Sequence, residues 1–384
     1  MKKLVFTLSR LNLKGGQERS TLEVLTRLER RGWEIHIISY VFEDIPAGYS
    51  FRWHRVPAFF LPTHWLRDFW LGFYSSCLLI WKFPKQEFLS VTIGIGTWRA
   101  DVRVIQFYHS RLRELVQEKK AQFPNAQSWL RLSYQRFYSL WNSRLEARLF
   151  ARTQFFVAIS QSVANDLVRI GRVPASKIIV INHSAESAVS VTDQLDSGGP
   201  TLDEIAAGGI QKKGLQILFV GALERKGIDK ALRILALAKD LNWEFQVVGD
   251  GDLNHWRRSA ADLGLSQRVH FHGAQASKSF FEKADIFLFP SLYEPFGLVI
   301  TEAISHGLAV LASSECGALE LWPDRPFELH LSSGAEDKAW ARALRKLVQD
   351  REFRQNCVQQ SQKQVSLWNW DMAAEKYDQA WRKL

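Results

Sequence analysis

The amino-acid sequence predicts an α/β protein with two domains, each built on a parallel, doubly wound sheet. Short apolar runs typical of buried strands alternate with amphipathic segments at helical spacing, and this alternation occurs twice along the chain. A stretch rich in Gly, Ser and Asp separates the two sets at residues 186–213. A length of 384 residues also suits two domains better than one.

In the first set, apolar runs predict strands and amphipathic runs predict helices. Residues 19–32 have apolar side chains at helical spacing and end at a glycine, and residues 162–171 form a second such segment. Ser160 or Ser162 is suited to cap that second helix. The predicted strands cover residues 2–9, 33–41, 50–57, 89–96, 102–109, 155–160 and 177–184.

The second set repeats the pattern after the separating stretch. Its predicted strands cover residues 215–221, 244–251, 268–273, 284–291 and 308–314, and its helices cover 228–241, 255–264, a segment after Gly297 and the end of the chain. We therefore predict a first domain at 1–185, a linker with one short helix at 186–213, a second domain at 214–366 and a terminal helix at 367–384.

Composition excludes several classes of protein. The three cysteines are widely spaced with no CxxC pair, which argues against a disulfide framework or a structural zinc site and fits a reducing cytoplasm. No signal peptide is apparent after Lys2 and Lys3. The longest apolar stretch, Phe69 to Trp81, is 13 residues, too short for a transmembrane helix of roughly 20.

The positive charge lies entirely in the first half of the chain. Residues 1–200 hold 27 Lys+Arg and 16 Asp+Glu, a balance of +11, whereas residues 201–384 hold 23 and 24, a balance of −1. A basic half favours an anionic partner such as a membrane surface or an acidic acceptor, although it is equally consistent with solubility charge. No nucleic-acid-binding module is recognisable, so nucleic acid is not expected as a partner.

The segment EPFGLVITEA, from Glu294 to Ala303, joins a predicted strand to a predicted helix. A helix start presents free N–H groups and a positive dipole end, which suit a phosphate or a sugar. Gly297 has no side chain, so a ligand can approach the backbone there. Glu294 before the helix and Glu302 inside it are candidates for binding sugar hydroxyls, although two solvated glutamates are an equally good interpretation of the spacing alone.

The same segment resembles the signature of retaining glycosyltransferase family 4, in which two glutamates stand eight residues apart around a Phe-Gly pair. This resemblance implies the GT-B fold, with two Rossmann-like domains facing across a cleft. It also implies that Glu294 and the backbone amides of Phe296, Gly297 and Leu298 hold the donor sugar. By the same resemblance Glu302 holds the ribose of a nucleotide-sugar.

Arg225 and Lys226 form a basic pair at the predicted strand-to-helix junction FVGALERKG. Two cations there can neutralise a departing diphosphate, although neighbouring cations are often only surface charge. The family pattern places an arginine where this chain has Ala222. The adjacent Arg-Lys pair instead resembles the lipopolysaccharide core glucosyltransferase I branch of the family.

Gly15 and Gly16 follow the first predicted strand and precede the first helix. A Gly-Gly turn there lets backbone N–H groups meet a phosphate or the transferred sugar, and it resembles the family's glycine-rich element.

His109 is predicted at the carboxyl end of a strand, where a polar side chain faces the ligand crevice of a parallel sheet. The resemblance implies that His109 lies near the donor sugar; a capping or core histidine is the alternative.

Two further sequences invite a chemical interpretation that the context does not favour. Asp250 and Asp252 form a DGD sequence like a metal motif, but their position after a strand is more typical of a turn, and no metal is expected. Cys316 precedes Gly317 where the family has a glycine-rich loop, so packing is a better interpretation than nucleophilic chemistry.

Residues 55–83 combine many aromatic side chains with several cations. Such a segment is suited to an anionic lipid surface. The alternative is a helix in the core beneath the first sheet, which we favour because apolar residues surround the helix rather than occupying one face.

The sequence thus predicts a metal-independent, cofactor-free retaining glycosyltransferase that moves a hexose from a UDP-sugar to a lipid-linked glycan such as lipopolysaccharide core. We expect it in the cytoplasm, with peripheral contact to the membrane. Three alternatives remain open: a GDP-mannose-dependent mannosyltransferase of the same fold, a non-hydrolysing UDP-sugar epimerase, and a noncatalytic protein that binds nucleotide-sugars or membranes.

Overall fold

A computed structural model describes residues 2–13, 15–45, 47–57, 63–117, 129–184 and 214–384. The predicted linker at 186–213 lies outside the described residues, as do residues 58–62 of the aromatic and basic stretch. The described chain forms two compact units, residues 1–183 together with 370–384, and residues 184–369. Both are α/β units with parallel sheets, as the sequence predicts.

The first unit contains a seven-stranded sheet in which every neighbouring pair of strands is parallel. The spatial order is β5-β3-β1-β6-β7-β8-β9, so the chain builds outward in one direction from β1 and then in the other from β6. The strands are β1 (Lys2–Thr7), β2 (Arg10–Leu11), β3 (Trp33–Ser39), β4 (Val41–Phe42), β5 (Arg52–Arg55), β6 (Phe88–Ile93), β7 (Val102–Ile105), β8 (Phe155–Ala158) and β9 (Ile178–Val180), of which β2 and β4 form a separate two-stranded sheet.

Helices alternate with the strands of the first unit. Ser160 caps one of them by accepting a hydrogen bond from the N–H of Val163, as its position in the sequence predicts. The helices of this part of the chain are α1 (Gly16–Arg30), α2 (His64–Lys82), α3 (His109–Gln117), α4 (Trp129–Phe150) and α5 (Gln161–Arg169).

One strand prediction was wrong at its carboxyl end. β7 stops at Ile105, and His109 begins helix α3 rather than ending the strand. The apolar run VRVIQFYH does continue, but the N–H groups of His109 and Ser110 donate to the carboxylate of Glu146 at 2.9 Å each. A helix start satisfied in this way competes with strand pairing, and the sequence around His109 gives no sign of a partner 37 residues away.

Helix α2 has two different faces. Leu71, Leu79 and the following Phe83 pack with Val5 and Ile38 of the sheet in one buried cluster. The opposite face leaves Phe69, Phe73, Ile80 and Trp81 exposed, with Trp81 the most exposed at 87%. The expected core helix beneath the first sheet is therefore confirmed for one face only, and the other face is exposed. An all-round apolar sequence cannot distinguish a core helix from one that exposes an apolar face.

The second unit contains a five-stranded parallel sheet with the order β12-β11-β10-β13-β14. Its strands are β10 (Leu215–Val220), β11 (Trp243–Val248), β12 (Val269–Gly273), β13 (Ile286–Phe289) and β14 (Ala309–Ala312). The helices are α6 (Leu223–Lys226), α7 (Ile228–Ala236), α8 (Leu253–Asp262), α9 (Lys278–Phe281), α10 (Leu298–Ser305), α11 (Asp337–Gln349) and α12 (Arg351–Ser366).

The last helix, α13 (Trp370–Arg382), packs within the first unit. Its Trp381 ring meets the Trp33 ring edge to face at 6.4 Å, and Trp381 is 1% exposed. The Trp33 indole N–H donates to Asp378 at 2.6 Å, and the side chain of Arg27 pairs with Asp371 at 3.1 Å. These contacts join α13 to α1 and β3 across more than 340 residues of sequence.

We expect Trp381→Ala to destabilise the first unit by about 3–5 kcal/mol, because removing a buried indole leaves a large cavity beside Trp33. Lys383→Ala changes an exposed residue near the end of the same helix and should stay within about 0.5 kcal/mol. Urea unfolding followed by tryptophan fluorescence measures both. Equal midpoints for the two variants would contradict the importance of this packing.

Candidate functional site

The second sheet changes its direction of growth between β10 and β13. From β10 the chain proceeds to β11 and β12 on one side, whereas β13 and β14 lie on the other. Because neighbouring strands are parallel, their carboxyl ends lie along one edge of the sheet. Loops that leave two strands at such a reversal diverge and form a crevice suited to a ligand. The predicted residues of this unit follow β10 and β13, at this edge.

Two loops meet closely here because one of them contains a glycine. Gly227 adopts a left-handed conformation with φ of +85° and ends helix α6. A Cβ built on Gly227 would collide with the carbonyl oxygen of Pro290, which follows β13. Two constraints therefore require glycine at this position: the left-handed backbone conformation, and the close contact with Pro290, which leaves no room for a side chain. It lets the loop after β10 lie against the loop after β13.

This contact brings Lys226 and Glu294 together in a buried ion pair. The ammonium group of Lys226 pairs with Oε2 of Glu294, and the two residues are only 7% and 9% exposed. The ammonium also lies 5.3 Å from the centroid of the Phe289 ring, a cation–π arrangement that stabilises a cation out of water. Burial, and then the adjacent charge of Arg225, lower the pKa of Lys226 well below its usual value.

Arg225 differs from its neighbour in exposure. It stands at the end of α6 next to the buried Lys226, but its own side chain is exposed. The basic pair therefore combines one cation fixed by a carboxylate with one that faces solvent. Such a pair can neutralise an anion approaching the carboxyl edge of β10.

Helix α10 begins at Leu298, four positions after Glu294. Its first residue follows Gly297, whose φ of +97° is left-handed, and a Cβ on Gly297 would lie 2.9 Å from Cγ of Glu294. The first turn of a helix presents N–H groups that the helix itself cannot satisfy, so the backbone at Leu298 offers donors to an anion or a hydroxyl. The sequence predicted this helix start correctly.

Glu302 lies in α10 and is 8% exposed. Glu302 lies four positions after Leu298, so both residues share one face of the helix. The carboxylate is thus one turn beyond the N-terminal donors, a spacing compatible with a ligand that has a polar group at each end.

The loop at Cys316 supports the loop that carries Glu294. The N–H of Gly317 donates to the carbonyl oxygen of Glu294 at 3.3 Å, and the N–H of Ala318 donates to that of Phe296 at 2.8 Å. Cys316 is 1% exposed, and burial raises the pKa of its thiol to about 12. A thiol that stays protonated is a poor nucleophile, which agrees with the interpretation of Cys316 as packing.

The DGD sequence forms a turn and a helix cap. The carboxylate of Asp252 accepts a hydrogen bond from the N–H of His255 at 3.0 Å at the start of α8. The N–H of Asp252 donates to Glu224 at 3.1 Å, and so does the indole of Trp256 at 3.0 Å. Glu224 therefore ties the segment after β10 to the loop after β11. Local sequence motifs do not reveal this role, because its partners lie 28 and 32 residues away.

In the first unit, Gly15 and Gly16 stand where the chain enters α1. Gly15 is the N-cap, with extended backbone, and Gly16 is the first helical residue. A Cβ on Gly15 would collide with the carboxylate of Glu18. The absence of a side chain at Gly15 therefore lets Glu18 fold back over the start of its own helix, where a negative charge is favourable.

His109 begins α3 and its ring lies among aromatic side chains. The ring is edge to face with Phe107 at 5.1 Å and with Tyr138 of α4 at 6.0 Å. Burial lowers the pKa of His109 to about 4, so the imidazole is neutral near pH 7. A neutral ring has one donor and one acceptor nitrogen, which suits hydrogen bonding to a hydroxyl group.

The predicted residues thus fall into two groups. Arg225, Lys226, Glu294, the segment 296–298 and Glu302 belong to the loops and helix at the switch point of the second unit. Gly15, Gly16 and His109 belong to the first unit and follow β1 and β7. No cluster of three metal-ligating side chains occurs among the residues that the structure describes.

We expect Lys226→Met to destabilise the protein by about 3–5 kcal/mol, because it leaves the carboxylate of Glu294 buried without its cation. Adding Glu294→Gln should recover most of that loss, since the second change removes the uncompensated charge. Arg225→Met, at the exposed neighbour, should stay within about 0.5 kcal/mol. Chemical unfolding of these three variants and of Glu294→Gln alone tests the pair, and additive losses in the double variant would contradict it.

Two family profiles match this chain in succession. Glycosyltransferase Family 4 matches residues 14–185, and Glycosyl transferases group 1 matches residues 201–364. Together they cover both units.

Individual relatives match over shorter lengths. The lipopolysaccharide glucosyltransferase WaaG of Escherichia coli is 35% identical over 114 residues, which is 28% of this chain and 30% of that protein. The chain spans less than half the length of the curated relatives it matches.

Solved structures match over nearly the whole chain. The crystal structure of WaaG, a glycosyltransferase involved in lipopolysaccharide biosynthesis, superposes with a TM-score of 0.74 at 20% identity, covering 97% of this chain and 98% of that one. Anabaena Alr3699/HepE in complex with UDP and glucose gives a TM-score of 0.69 at 17% identity, with full coverage of both chains. The two parallel α/β units and the successive profiles identify the chain as a member of the GT-B glycosyltransferase family 4.

Proposed function

We propose that this protein is a retaining, metal-independent glycosyltransferase that moves a hexose from UDP-glucose or a related UDP-hexose to a lipid-linked glycan such as lipopolysaccharide core. The observation that carries the proposal is the buried Lys226–Glu294 pair at the switch point of the second sheet, beside the N-terminus of α10. This arrangement places a cation, a carboxylate and free N–H donors within one pair of loops.

The second domain has the groups that a nucleotide-sugar needs. Arg225 and Lys226 neutralise the diphosphate as the bond to the sugar breaks. Glu294 and the backbone of residues 296–298 orient the hexose, and Glu302 binds the ribose diol. Glu294 holds Lys226 in place, so the cation needs little reorganisation when the diphosphate binds.

In the reaction, the bond between the sugar's C1 and the diphosphate oxygen breaks while the acceptor oxygen attacks from the same face. The acceptor's hydroxyl proton leaves with the departing diphosphate. By the family resemblance, the first domain binds the acceptor, and Gly15, Gly16 and a neutral His109 are its candidate residues for contacts with a sugar. Orientation by these groups contributes to the rate, because a misplacement of about 1 Å can reduce the rate 10²-fold.

A UDP-sugar is favoured over other donors by the neighbours that this fold resembles. HepE was solved with UDP and glucose, and WaaG acts in lipopolysaccharide biosynthesis. A GDP-mannose donor on the same fold is the second candidate. An epimerase or a noncatalytic binding protein would not require an acceptor.

A lipid-linked acceptor would require the protein to approach a membrane, and helix α2 has a surface suited to this. We define the α2 surface as the exposed side chains Phe69, Phe73, Ile80 and Trp81. Arg67 and Lys82 of the same helix are exposed cations, as are Lys85 just after it and Arg99. Arg99 follows Trp98, whose ring contacts those of Phe69 and Phe73. Apolar side chains with cations beside them bind anionic lipid through both burial and charge. No helix of the described residues is long and apolar enough to cross a membrane.

We expect one UDP-sugar, at 100 times its dissociation constant, to raise the melting temperature by roughly 5–10 °C, corresponding to about 2.7 kcal/mol. The measurement is a thermal-shift panel of UDP-, GDP-, ADP- and TDP-sugars with magnesium or with EDTA. EDTA should leave the shift unchanged. Glu302→Gln should weaken binding at least 10-fold, whereas Glu282→Gln, at an exposed glutamate of the same unit, should not.

A shift with GDP-mannose alone would favour the second candidate. A complete lack of shifts would contradict the nucleotide-sugar site, and a shift abolished by EDTA would contradict metal independence.

We expect the protein to float with vesicles of phosphatidylcholine and phosphatidylglycerol but not with phosphatidylcholine alone, because both apolar and cationic groups contribute. Phe73→Asp combined with Ile80→Asp should reduce the bound fraction at least 5-fold. Phe327→Asp changes a side chain of the second unit that is 88% exposed and serves as the control. Equal flotation of all three proteins would exclude the α2 surface as the contact.

A further inference from the structure

Glu146 is a buried carboxylate that no part of the proposed mechanism uses. It lies near the carboxyl end of α4 and is 1% exposed. No cation pairs with it among the residues that the structure describes. Burying a carboxylate without a partner costs free energy. The groups that contact Glu146 must therefore stabilise it.

Among the residues that the structure describes, its hydrogen-bond donors come from the start of α3. Its Oε1 accepts from the N–H of His109 at 2.9 Å. Its Oε2 accepts from the N–H of Ser110 at 2.9 Å and from the Ser110 hydroxyl at 2.6 Å. A negative group at this point is also favoured by the helix dipole. The carboxylate thus fixes the backbone of His109 from a helix 37 residues later in the chain.

The same helix α4 also holds the imidazole ring. Tyr138 lies two turns before Glu146, and its ring is edge to face with that of His109 at 6.0 Å. The Tyr138 hydroxyl is itself fixed, because it donates to Asp68 of α2 at 2.7 Å. His109 is therefore held at its backbone by Glu146 and at its ring by Tyr138 and Phe107.

We propose that Glu146 is the positioning residue for His109: it holds the start of α3 so that the neutral imidazole faces the sugar in one orientation. This inference rests on the proposed function, since it assigns His109 to the transferred sugar. Glu146 itself touches no substrate. It acts through two backbone N–H groups and one hydroxyl.

Because of its environment, the way in which Glu146 holds the start of α3 depends on pH. Burial raises the pKa of Glu146 to about 7, and the hydrogen bonds from Ser110 and His109 oppose the rise. The other titratable groups nearby are Tyr108, which adjoins Glu146, with Asp166 and Arg169 beyond it. Because the pKa in the folded state exceeds the ordinary value near 4.5, the stability contributed by this group is present below that value and is lost as the pH rises through 7.

Ionisation of Glu146 lowers the stability of the fold but improves the match between the carboxylate and its hydrogen-bond donors on α3. Above pH 7 the carboxylate has only acceptor atoms and matches its three donors. Below that pH one oxygen carries a proton and becomes a donor that faces other donors. We therefore expect the orientation of His109 to improve as the pH rises through about 7, at some expense in stability.

The first test observes His109 directly and needs no substrate. In full-length protein labelled with ¹³C at the histidine Cε1, the signal of His109 is assigned by its loss in His109→Gln. Its pKa of about 4 means that the ring does not titrate between pH 6 and 8, so a step in its chemical shift near pH 7 reports on Glu146. Glu146→Gln should abolish the step, and Glu114→Gln, a carboxylate of α3 bonded to Arg169, should leave it. A signal without a step, or one unchanged by Glu146→Gln, would overturn the proposal.

The second test measures UDP release when the protein hydrolyses UDP-glucose. Glu146→Gln should lower kcat about 10- to 100-fold while KM for UDP-glucose stays within 2-fold, because Glu146 belongs to none of the segments proposed to bind the donor. The rise of kcat through pH 7 should disappear. In a His109→Gln background the same change should cost less than 2-fold, since a residue that acts only through His109 has nothing left to position.

The outcomes separate the inference from the function on which it rests. A full loss in the His109→Gln background would show that Glu146 acts through the general fold and would overturn the positioning role. Absence of UDP release from the unaltered protein would contradict the proposed UDP-glucose donor. In that case the chemical-shift step would still decide whether Glu146 positions His109.

Discussion

The buried Lys226–Glu294 ion pair is the interaction on which the arrangement of the second unit depends. Two charges removed from water are stabilising only when their geometry is fixed, so the surrounding backbone must hold both loops in place. Gly227 permits the loops after β10 and β13 to touch, and the N–H groups of Gly317 and Ala318 hold the second loop from behind. The result is a cation and a carboxylate placed beside a helix N-terminus.

The first unit uses a buried carboxylate in a different way. Glu146 pairs with no cation in the described part of the chain and accepts hydrogen bonds from backbone N–H groups at the start of α3, so its charge serves a helix rather than a partner side chain. In both units a glutamate outside solvent fixes the backbone or side chain next to it. Such buried charges are poorly justified by stability alone, whereas preorganisation of a site gives them a function.

Helix α2 shows how one apolar segment can serve two purposes. Its inner face joins the core around Val5 and Ile38, and its outer face exposes Phe69, Phe73, Ile80 and Trp81. An exposed apolar face bordered by cations differs from the scattered apolar residues of an ordinary surface. The helix therefore links the packing of the first sheet to the proposed contact with anionic lipid.

The sequence by itself determined the two α/β units, the helix start at Gly297 and the basic pair at Arg225 and Lys226. It could do so because these features depend on local periodicity and on residues close together in the chain. Tertiary structure decided the rest. The strand order placed the loops after β10 and β13 side by side, the ion pair joined residues 68 positions apart, and Glu146 turned the predicted end of a strand into the start of α3. Pairings across such distances depend on which strands become neighbours, and local patterns contain no information about that choice.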